Sequence, residues 1–367
     1  MPGTVIFLGA GATKSVNGPL TNEILKRMLY PEPDPNLPRR APPPPLLSEF
    51  VEKLFHVNSA TPTEQFPGLP LLMSLIDTAL DRRQAFHPDW DPAKLSGIRQ
   101  AIEIGMFELL EAVLRQAPTN NHYELLSKIY SVPVQPCVIS TNYDLVIDAA
   151  MMFFSEGRTP DGALPEYHIS FRTPFYEMSE GKRFGTLLKL HGSLNWLHCR
   201  TCQRMEIGPS VSRLYAKVLQ RLLADVDQSY TPAGEKCPSC GTGLRQLMIA
   251  PTHLKDYRNP HLAGVWYEAE RVLREADKVI FIGYSLPDDD VEVVYLLKRG
   301  LAHLWPHQIT VVEFDNPPHI PADHPVWRRY RTLFGDGIDW HPEGVTEWLR
   351  QLPMPQAHAV QPVAQVG

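Results

Sequence analysis

Four of the five cysteines in this 367-residue chain fall into two Cys-x-x-Cys pairs. Cys199 pairs with Cys202 and Cys237 with Cys240, and 34 residues lie between the two pairs. Thiolates two residues apart can bind one tetrahedral ion, and a second pair completes a four-sulfur shell. The spacing therefore predicts a structural zinc site that is closed to catalysis, because no ligand position stays open. The alternative is a set of reduced thiols without metal.

A further cysteine and a histidine belong to residue types that can do chemistry, but their sequence surroundings do not favour such a role. Cys137 lies within an apolar run, where a small buried hydrophobe is a better interpretation than a nucleophile. His198 adjoins the first cysteine pair, but four cysteines already fill a zinc shell. We therefore predict neither a nucleophile at Cys137 nor a metal ligand at His198.

Polar side chains follow two apolar runs in the segments Ser-Thr-Asn-Tyr-Asp and Leu-His-Gly-Ser. Asn142 can orient a water or an amide, and Asp144 can bind an amide or cap the helix that follows. His191 precedes a glycine and is a candidate general base near neutral pH. Its alternative is a hydrogen-bonded structural histidine.

A glycine turn follows the first apolar run, in the segment Gly9-Ala10-Gly11-Ala12-Thr13. Glycines let the backbone approach a pyrophosphate, and a following helix supplies N–H donors. The dinucleotide-binding fingerprint has a third glycine where this chain has Lys14, so the match is partial. A tight strand-to-helix turn without a ligand is the alternative.

A second glycine turn, with Gly283 and Ser285, also closes an apolar run and precedes a helix. Further along the chain, Asp315 and Asn316 follow another apolar run. Acidic and amide groups at such a position can accept hydrogen bonds from the hydroxyls of an adenine ribose.

Short apolar strands that alternate with helices would position these residues. Strands are predicted at residues 4–8, 137–140, 186–190, 247–250, 278–282 and 308–312. Helices are predicted at residues 19–29, 144–154, 261–275 and 289–301. This alternation indicates an α/β fold with a mostly parallel sheet covered on both faces.

Two segments interrupt the alternation, so the sheet is predicted to come from residues 1–30, 132–193 and 245–350. Residues 31–131 form a proline-rich loop and a helical insert, in which one helix buries Leu71, Leu72, Leu75, Ile76, Ala79 and Leu80. Residues 194–244 carry the paired cysteines and form a smaller module. The tail, residues 353–367, is predicted to be disordered.

Composition excludes several classes of protein. Apolar residues make up 43% of the chain and charged residues 21%, which is a globular balance. The net charge is −6, and the sequence has no basic region of the kind that binds duplex nucleic acid or an anionic membrane. No apolar run reaches the roughly 18 residues of a membrane helix, and no signal peptide is evident. We therefore expect a soluble cytoplasmic protein.

The chain resembles the sirtuin superfamily in five motifs that occur in the same order. They are the glycine turn, the Ser-Thr-Asn-Tyr-Asp segment, Leu-His-Gly-Ser, the cysteine pairs and Ile-Gly-Tyr-Ser-Leu. The resemblance runs from about Val5 to Asn316 and is greatest to a bacterial sirtuin-like branch with a Thr-Asn-Tyr-Asp motif. It implies a Rossmann-like domain that binds NAD+ as substrate, a smaller zinc module, and cleavage of the nicotinamide–ribose bond.

The resemblance also implies roles for individual residues. Gly9, Gly11 and Thr13 would hold the pyrophosphate and the nicotinamide ribose, and Ala10 and Thr141 would also contact the dinucleotide. The implied catalytic residues are Asn142 and Asp144, which line the nicotinamide pocket, and His191, which acts as a base. The residues implied for the adenosine half are Gly283, Ser285, Asp315 and Asn316.

Departures from the family pattern bear on the acceptor. Protein-deacylating sirtuins carry Gly-Ile-Pro-Asp-Phe-Arg where this chain has Asn17-Gly18-Pro19-Leu20-Thr21, and they carry a Phe-Gly-Glu loop where residues 252–257 differ. We therefore expect an NAD+ hydrolase acting in antiviral defence, held inactive until a partner protein or homo-oligomer forms. The retained cysteine pairs keep a deacylase or ADP-ribosyltransferase open as an alternative. The third hypothesis is a non-catalytic nucleotide-binding assembly subunit.

Overall fold

The computed structural model describes residues 3–16, 18–31, 45–115, 121–130, 134–156, 163–173, 183–207, 236–249, 252, 259–314 and 324–353. Within them, nine strands form a six-stranded sheet and a three-stranded sheet. The strands are β1 (Thr4–Leu8), β2 (Cys137–Ser140), β3 (Thr186–Lys189), β4 (Gly192–His198), β5 (Met205–Ile207), β6 (Arg245–Met248), β7 (Lys278–Ile282), β8 (Ile309–Val312) and β9 (Asp339–His341).

The six-stranded sheet has the order β3-β2-β1-β7-β8-β9, and every neighbouring pair is parallel. Its central strand β1 is apolar on both faces, and residues Val5 to Leu8 are fully buried. Strands buried on both faces are typical of a parallel sheet with helices on each side. The predicted α/β fold with a mostly parallel, Rossmann-like sheet is therefore confirmed.

Ten α-helices accompany the strands within the described ranges. They are α1 (Thr21–Leu29), α2 (Pro45–Phe55), α3 (Leu69–Asp81), α4 (Pro92–Arg115), α5 (Asn121–Ile129), α6 (Val146–Glu156), α7 (Pro260–Arg274), α8 (Val291–Gly300), α9 (Pro325–Phe334) and α10 (Val345–Gln351). A 3₁₀ helix, Ala10–Val16, follows β1 directly.

Helices α1 to α4 pack around an apolar cluster of their own, which we call the helical module. In α3 the buried residues follow the spacing of one helix face: Leu69, Leu72, Met73, Ile76 and Ala79. The prediction that Leu71 shares this face is wrong, because Leu71 is 47% exposed. It precedes Leu72 by one residue, and consecutive residues point about 100° apart around a helix.

The three-stranded sheet corrects a second expectation. Residues 247–250 were predicted to be a strand of the parallel sheet. Instead β6 pairs with β4 in antiparallel fashion, and β5 flanks β4 on the other side. The apolar run is short enough to fit either kind of sheet, so periodicity alone does not separate them.

Most predicted boundaries agree with the structure to within about two residues. Strands β1, β2 and β7 match their predicted limits, whereas β9, α9 and α10 lie in a part of the chain for which no element was predicted. Residues 32–44 of the proline-rich loop and the tail beyond Pro353 lie outside the described residues.

Candidate functional site

The two glycine turns, one after β1 and one after β7, pack backbone against backbone. The Gly11 N–H donates to the carbonyl of Gly283 at 2.8 Å, and the Gly9 N–H donates to Ile282 at 3.0 Å. A Cβ on Gly11 would lie 2.7 Å from the Gly283 Cα atom. Gly283 has a φ of +59°, and a Cβ there would lie 2.2 Å from the Ala12 nitrogen. The alternative of a tight turn is therefore sufficient to explain these glycines.

This packing changes what the first turn can offer a ligand. The N–H groups of Gly9, Gly11 and Ala12 all donate to backbone carbonyls. Gly9 does not line the cavity described below, whereas Ala10, Gly11 and Thr13 do. Thr13 donates its hydroxyl hydrogen bond to the carbonyl of Ala10 at 3.0 Å. The turn thus presents small side chains and a close backbone surface.

Asn142 lies just beyond the end of β2, with its side chain held by the first glycine turn. Its Nδ2 donates to the carbonyl of Gly9 at 2.9 Å, and its backbone N–H donates to the Ser140 hydroxyl at 3.1 Å. The neighbouring Thr141 N–H continues the strand pairing by donating to Leu8 at 3.0 Å. These bonds fix the orientation of the Asn142 amide.

Asp144 has the capping role that was its alternative and also lines the cavity. Its Oδ1 accepts a hydrogen bond from the Val146 N–H at 3.0 Å, at the first turn of α6. The side chain is buried, and this desolvation raises the pKa of Asp144 above its ordinary value. Lys189 acts in the opposite direction through its charge.

Lys189 is a buried cation that sequence reasoning did not single out. Its side chain is fully buried, and its Nζ lies 3.0 Å from Asp148 Oδ2 and 2.8 Å from the Ser193 hydroxyl. It also donates to the carbonyls of Tyr143 and Asp144. One lysine thereby holds the loop that carries Asn142. The available signal was a lysine inside an apolar strand, since lysine is almost never fully buried without a partner.

His191 lies in the short connection between β3 and β4 and is buried. Its Nε2 lies 3.6 Å from Asp290 Oδ1, and its ring centre lies 6.2 Å from that of Tyr143. Asp290 is itself buried, and its other oxygen accepts a hydrogen bond from the Tyr284 hydroxyl at 3.1 Å. Asp290 was not predicted, because it lies 99 residues from His191 in the sequence.

A cavity of about 450 Å³ brings most of the predicted residues together. It opens at the carboxyl ends of β1, β2, β7 and β8, and α1, α4 and α9 also contribute side chains to its wall. The strand order reverses between β1 and β7, which is where open α/β sheets bind ligands. The predicted residues in the wall are Ala10, Gly11, Thr13, Thr141, Asn142, Asp144, His191, Gly283 and Ser285.

The charge of this cavity is one-sided. Among the described residues of its wall, four are carboxylates and none is lysine or arginine: Asp144, Asp289, Asp290 and Glu313. Glu313 follows β8 directly, at the end of the strand where an acceptor for a ribose hydroxyl is predicted. The predicted acceptors Asp315 and Asn316 lie outside the described residues.

The four paired cysteines lie together in one cluster, as their Cys-x-x-Cys spacing predicts. Their sulfur atoms all lie within 4.8 Å of one another, and the Sγ atoms of Cys199 and Cys240 are 3.4 Å apart. Four sulfurs bound at ~2.3 Å to one tetrahedral ion would lie about 3.8 Å apart. The donor set and its spacing therefore fit zinc, and the cysteines are not joined in disulfides.

Cys137 and His198 take no part in this cysteine cluster. Cys137 is buried in β2, and desolvation raises the pKa of its thiol to about 12, so the nucleophilic thiolate is disfavoured. His198 Nε2 lies 3.0 Å from the Gln203 side-chain oxygen, and His198 is not part of the cysteine cluster. Among the described helices, none combines the length and apolar character needed to cross a membrane.

No protein-family model matches the sequence, and no curated protein matches it. The fold is similar to a Sir2 homologue in complex with NAD (15% identity, TM-score 0.43, covering 95% of this chain and 87% of that one). It is also similar to a Sir2 homologue mutant in complex with 2′-O-acetyl-ADP-ribose (15%, TM-score 0.44, 95% and 91%). A third similar structure comes from work on sirtuin substrate affinity (15%, TM-score 0.42, 95% and 92%). At these values the similarities assign no activity, substrate or partner to the chain.

Proposed function

We propose that this chain is an NAD+ glycohydrolase, which converts NAD+ and water into nicotinamide and ADP-ribose. The observation that carries the proposal is the cavity at the strand-order reversal, where a small-residue turn, Asn142 and His191 meet. Its volume is within the range of roughly 300 to 1,000 Å³ that small-molecule sites occupy. The sequence resemblance described above supplies the reaction class.

The carboxylates of the cavity suit the charge that this reaction develops. The nicotinamide ring of NAD+ is cationic, and the ribose becomes oxocarbenium-like as the bond breaks. Fixed negative groups in a site with little water stabilise such positive charge more than water does. Asp144, just beyond Asn142, is the proposed carboxylate at the nicotinamide end.

The proposed step needs no acid, because nicotinamide leaves as a neutral molecule. The C1′–N1 bond breaks, and its electron pair goes to the ring nitrogen. A water attacks C1′ from the other face, and the proton of that water passes to His191. Asn142, fixed through its Nδ2 to Gly9, orients the water or the nicotinamide amide through its Oδ1.

Glu313, which lines the cavity, is the proposed partner of the adenosine ribose. It follows β8, and an acidic group after a neighbouring strand accepts hydrogen bonds from ribose hydroxyls in dinucleotide sites. Gly283 and Ser285 lie in the wall beside it and would contact the adenosine half. The pyrophosphate would lie against the close backbone surface of Ala10 and Gly11, beside Thr13.

Zinc would be held by Cys199, Cys202, Cys237 and Cys240 and would serve structure. A four-thiolate shell leaves no position for a substrate or a water. When bound, the ion would join the end of β4 to the residues just before β6, and the proposed reaction needs nothing from it.

The second candidate is an NAD+-dependent lysine deacylase or ADP-ribosyltransferase. The four-cysteine cluster favours it, because deacylating sirtuins carry such a zinc module. In that case an acyl oxygen or a protein side chain, in place of water, would attack C1′. The third candidate is a nucleotide-binding assembly subunit without turnover. A role for the hydrolase in antiviral defence, through depletion of cellular NAD+, rests on the family resemblance and belongs to the proposal.

The test is an NAD+ cleavage assay on the purified chain, with and without an acetyl-lysine peptide. Nicotinamide and ADP-ribose are quantified by chromatography. We expect nicotinamide release without peptide and a loss of about 100-fold or more in Asn142→Ala and His191→Ala. Asn58→Ala, an exposed asparagine outside the cavity wall, is the control and should match the wild type.

Each other outcome selects a different candidate. O-acetyl-ADP-ribose that forms only with peptide would establish the deacylase. NAD+ binding without nicotinamide release in both arms and at every concentration of the chain, together with unchanged NAD+ in phage-challenged cells, would overturn the enzyme proposal in favour of the assembly subunit. The same assay in bacteria expressing the chain, with cellular NAD+ measured after phage challenge, tests the defence role.

A further inference from the structure

Asp290 is a buried carboxylate to which the proposed reaction assigns no individual role. It lies at the start of α8, where a short polar side chain usually caps the helix, yet it makes no side-chain capping bond. Its two oxygens face other groups: Oδ1 lies 3.6 Å from His191 Nε2, and Oδ2 accepts a hydrogen bond from Tyr284. Local helix structure therefore does not account for its burial or its direction.

We propose that Asp290 is a positioning residue for His191, and this inference rests on the proposed function. A carboxylate oxygen that faces Nε2 favours the states of the imidazole with a proton on Nε2. The neutral ring then accepts the proton of the attacking water on Nδ1. The imidazolium that forms lies within ion-pair distance of Asp290, which stabilises it.

Tyr284 holds Asp290 in place for this role. Its hydroxyl donates to Asp290 Oδ2 at 3.1 Å, and its ring packs 4.9 Å from the ring of Phe7 in β1. Tyr284 adjoins Gly283, so the turn that locks against β1 also sets the carboxylate beside His191. The separation of 3.6 Å exceeds a hydrogen bond, and distances between catalytic groups often shorten when substrate binds.

Other ionisable groups around the cavity bear on the protonation of His191. Asp144 follows β2, Asp289 precedes Asp290, Glu313 follows β8, and His324 precedes α9. Lys189, two residues before His191 in the sequence, directs its charge to Asp148. All four carboxylates favour the imidazolium. Asp290 is distinguished by its burial and by its 3.6 Å approach to the ring nitrogen.

The first measurement is the pKa of His191 by NMR in protein labelled at the histidine Cε1 carbon. The His191 signal is assigned by its loss in His191→Gln. In Asp290→Asn we expect the pKa of His191 to fall by about 1 to 3 units, because an opposite charge at this range favours the charged form. Asp290→Glu should restore part of the shift. Asp288→Asn is the control, since Asp288 is exposed in the same loop.

The second measurement is the pH profile of NAD+ cleavage. In Asp290→Asn we expect its acid limb to move by the same amount as the NMR pKa, with the plateau rate about 10²- to 10⁴-fold lower. Thermal denaturation of each variant reports folding separately, and a merely structural role would move it without moving the NMR pKa.

The two proposals fail in different ways. An unchanged His191 pKa in folded Asp290→Asn would overturn the pairing whatever the activity. A lowered pKa in a chain that releases no nicotinamide would uphold the pairing and overturn the hydrolase. A lowered pKa together with an unmoved acid limb would show that His191 is not positioned by Asp290 for the reaction, which overturns this inference.

Discussion

At the scale of single residues, Lys189 shows how much one buried charge can organise. It lies in β3, yet its Nζ contacts the loop after β2, the Asp148 carboxylate in α6 and the Ser193 hydroxyl in β4. Tyr167 donates to the other oxygen of Asp148 at 2.7 Å. The pair is thus almost fully hydrogen-bonded, as a buried ion pair must be to offset desolvation.

We therefore expect Lys189→Met to lower the free energy of unfolding by about 3 to 5 kcal/mol, because it leaves Asp148 buried without its cation. Urea denaturation measures the change. The matched control is Lys53→Met, which removes an exposed lysine paired with Glu49 and should cost far less, because solvent screens an exposed ion pair. Equal costs in the two variants would contradict the role assigned to burial.

At the scale of elements, the two glycine turns act as one structural unit. Gly9 and Gly11 pack against Gly283 and Tyr284, so the ends of β1 and β7 are joined beyond their strand pairing. Asn142 is held by the same unit through Gly9. The local sequence predicted each turn, but their contact with each other needed the parallel pairing of β1 with β7.

Gly283→Ala should lower the free energy of unfolding by more than about 3 kcal/mol, since the new methyl group would meet backbone atoms of the other turn. Gly241→Ala is a matched control, because Gly241 also has a positive φ, +74°, but has no neighbour within 4 Å of the added Cβ. It should cost only the backbone strain of about 1 to 2 kcal/mol. Thermal and urea unfolding compare the two variants, and similar costs would count against backbone crowding at Gly283.

The cysteine cluster carries a prediction at the same scale. We expect the purified chain to contain one zinc ion, measured by plasma mass spectrometry, and Cys240→Ser to lose most of it. Removal of zinc by a chelator should lower the melting temperature, because a bound ion would join β4 to the segment before β6. Cys137→Ser should keep the metal, as Cys137 is buried in β2. A metal content independent of Cys240 would refute the site.

At the scale of the whole molecule, the parallel sheet and the helical module both contribute to the cavity wall. The parallel sheet contributes the turns and loops with Asn142, His191 and Asp290, while the helical module contributes side chains from α1 and α4. The helical module has its own apolar cluster, separate from that of the sheet. The cavity therefore lies where the parallel sheet and the helical module meet.

A bulky residue on the helical side should consequently weaken binding without touching the sheet. Thr21 begins α1, is exposed and lines the cavity, so Thr21→Trp should raise the Kd for NAD+ at least about tenfold. Ser96→Trp, exposed on α4 and outside the wall, should leave the Kd unchanged. Isothermal titration in the His191→Ala background, where NAD+ is not consumed, measures both, and an unchanged Kd in Thr21→Trp would place the ligand elsewhere.

The sequence alone determined the features that depend on nearby residues. The apolar runs of β1, β2 and β7, the Cys-x-x-Cys pairs and the polar residues after β2 and β3 are all local patterns. They predicted the sheet, the cysteine cluster and the presence of Asn142, Asp144 and His191 at strand ends. The site roles themselves stay predictions.

The tertiary structure decided every feature that depends on two distant segments. Only the folded chain brings Asp290 to His191, Gly283 to Gly11 and Asp148 to Lys189. Only the sheet topology shows that β6 pairs with β4 and not with the parallel strands. The physical reason is common to all of them: local patterns specify which face a residue buries, whereas partners come from long-range packing that no local pattern encodes.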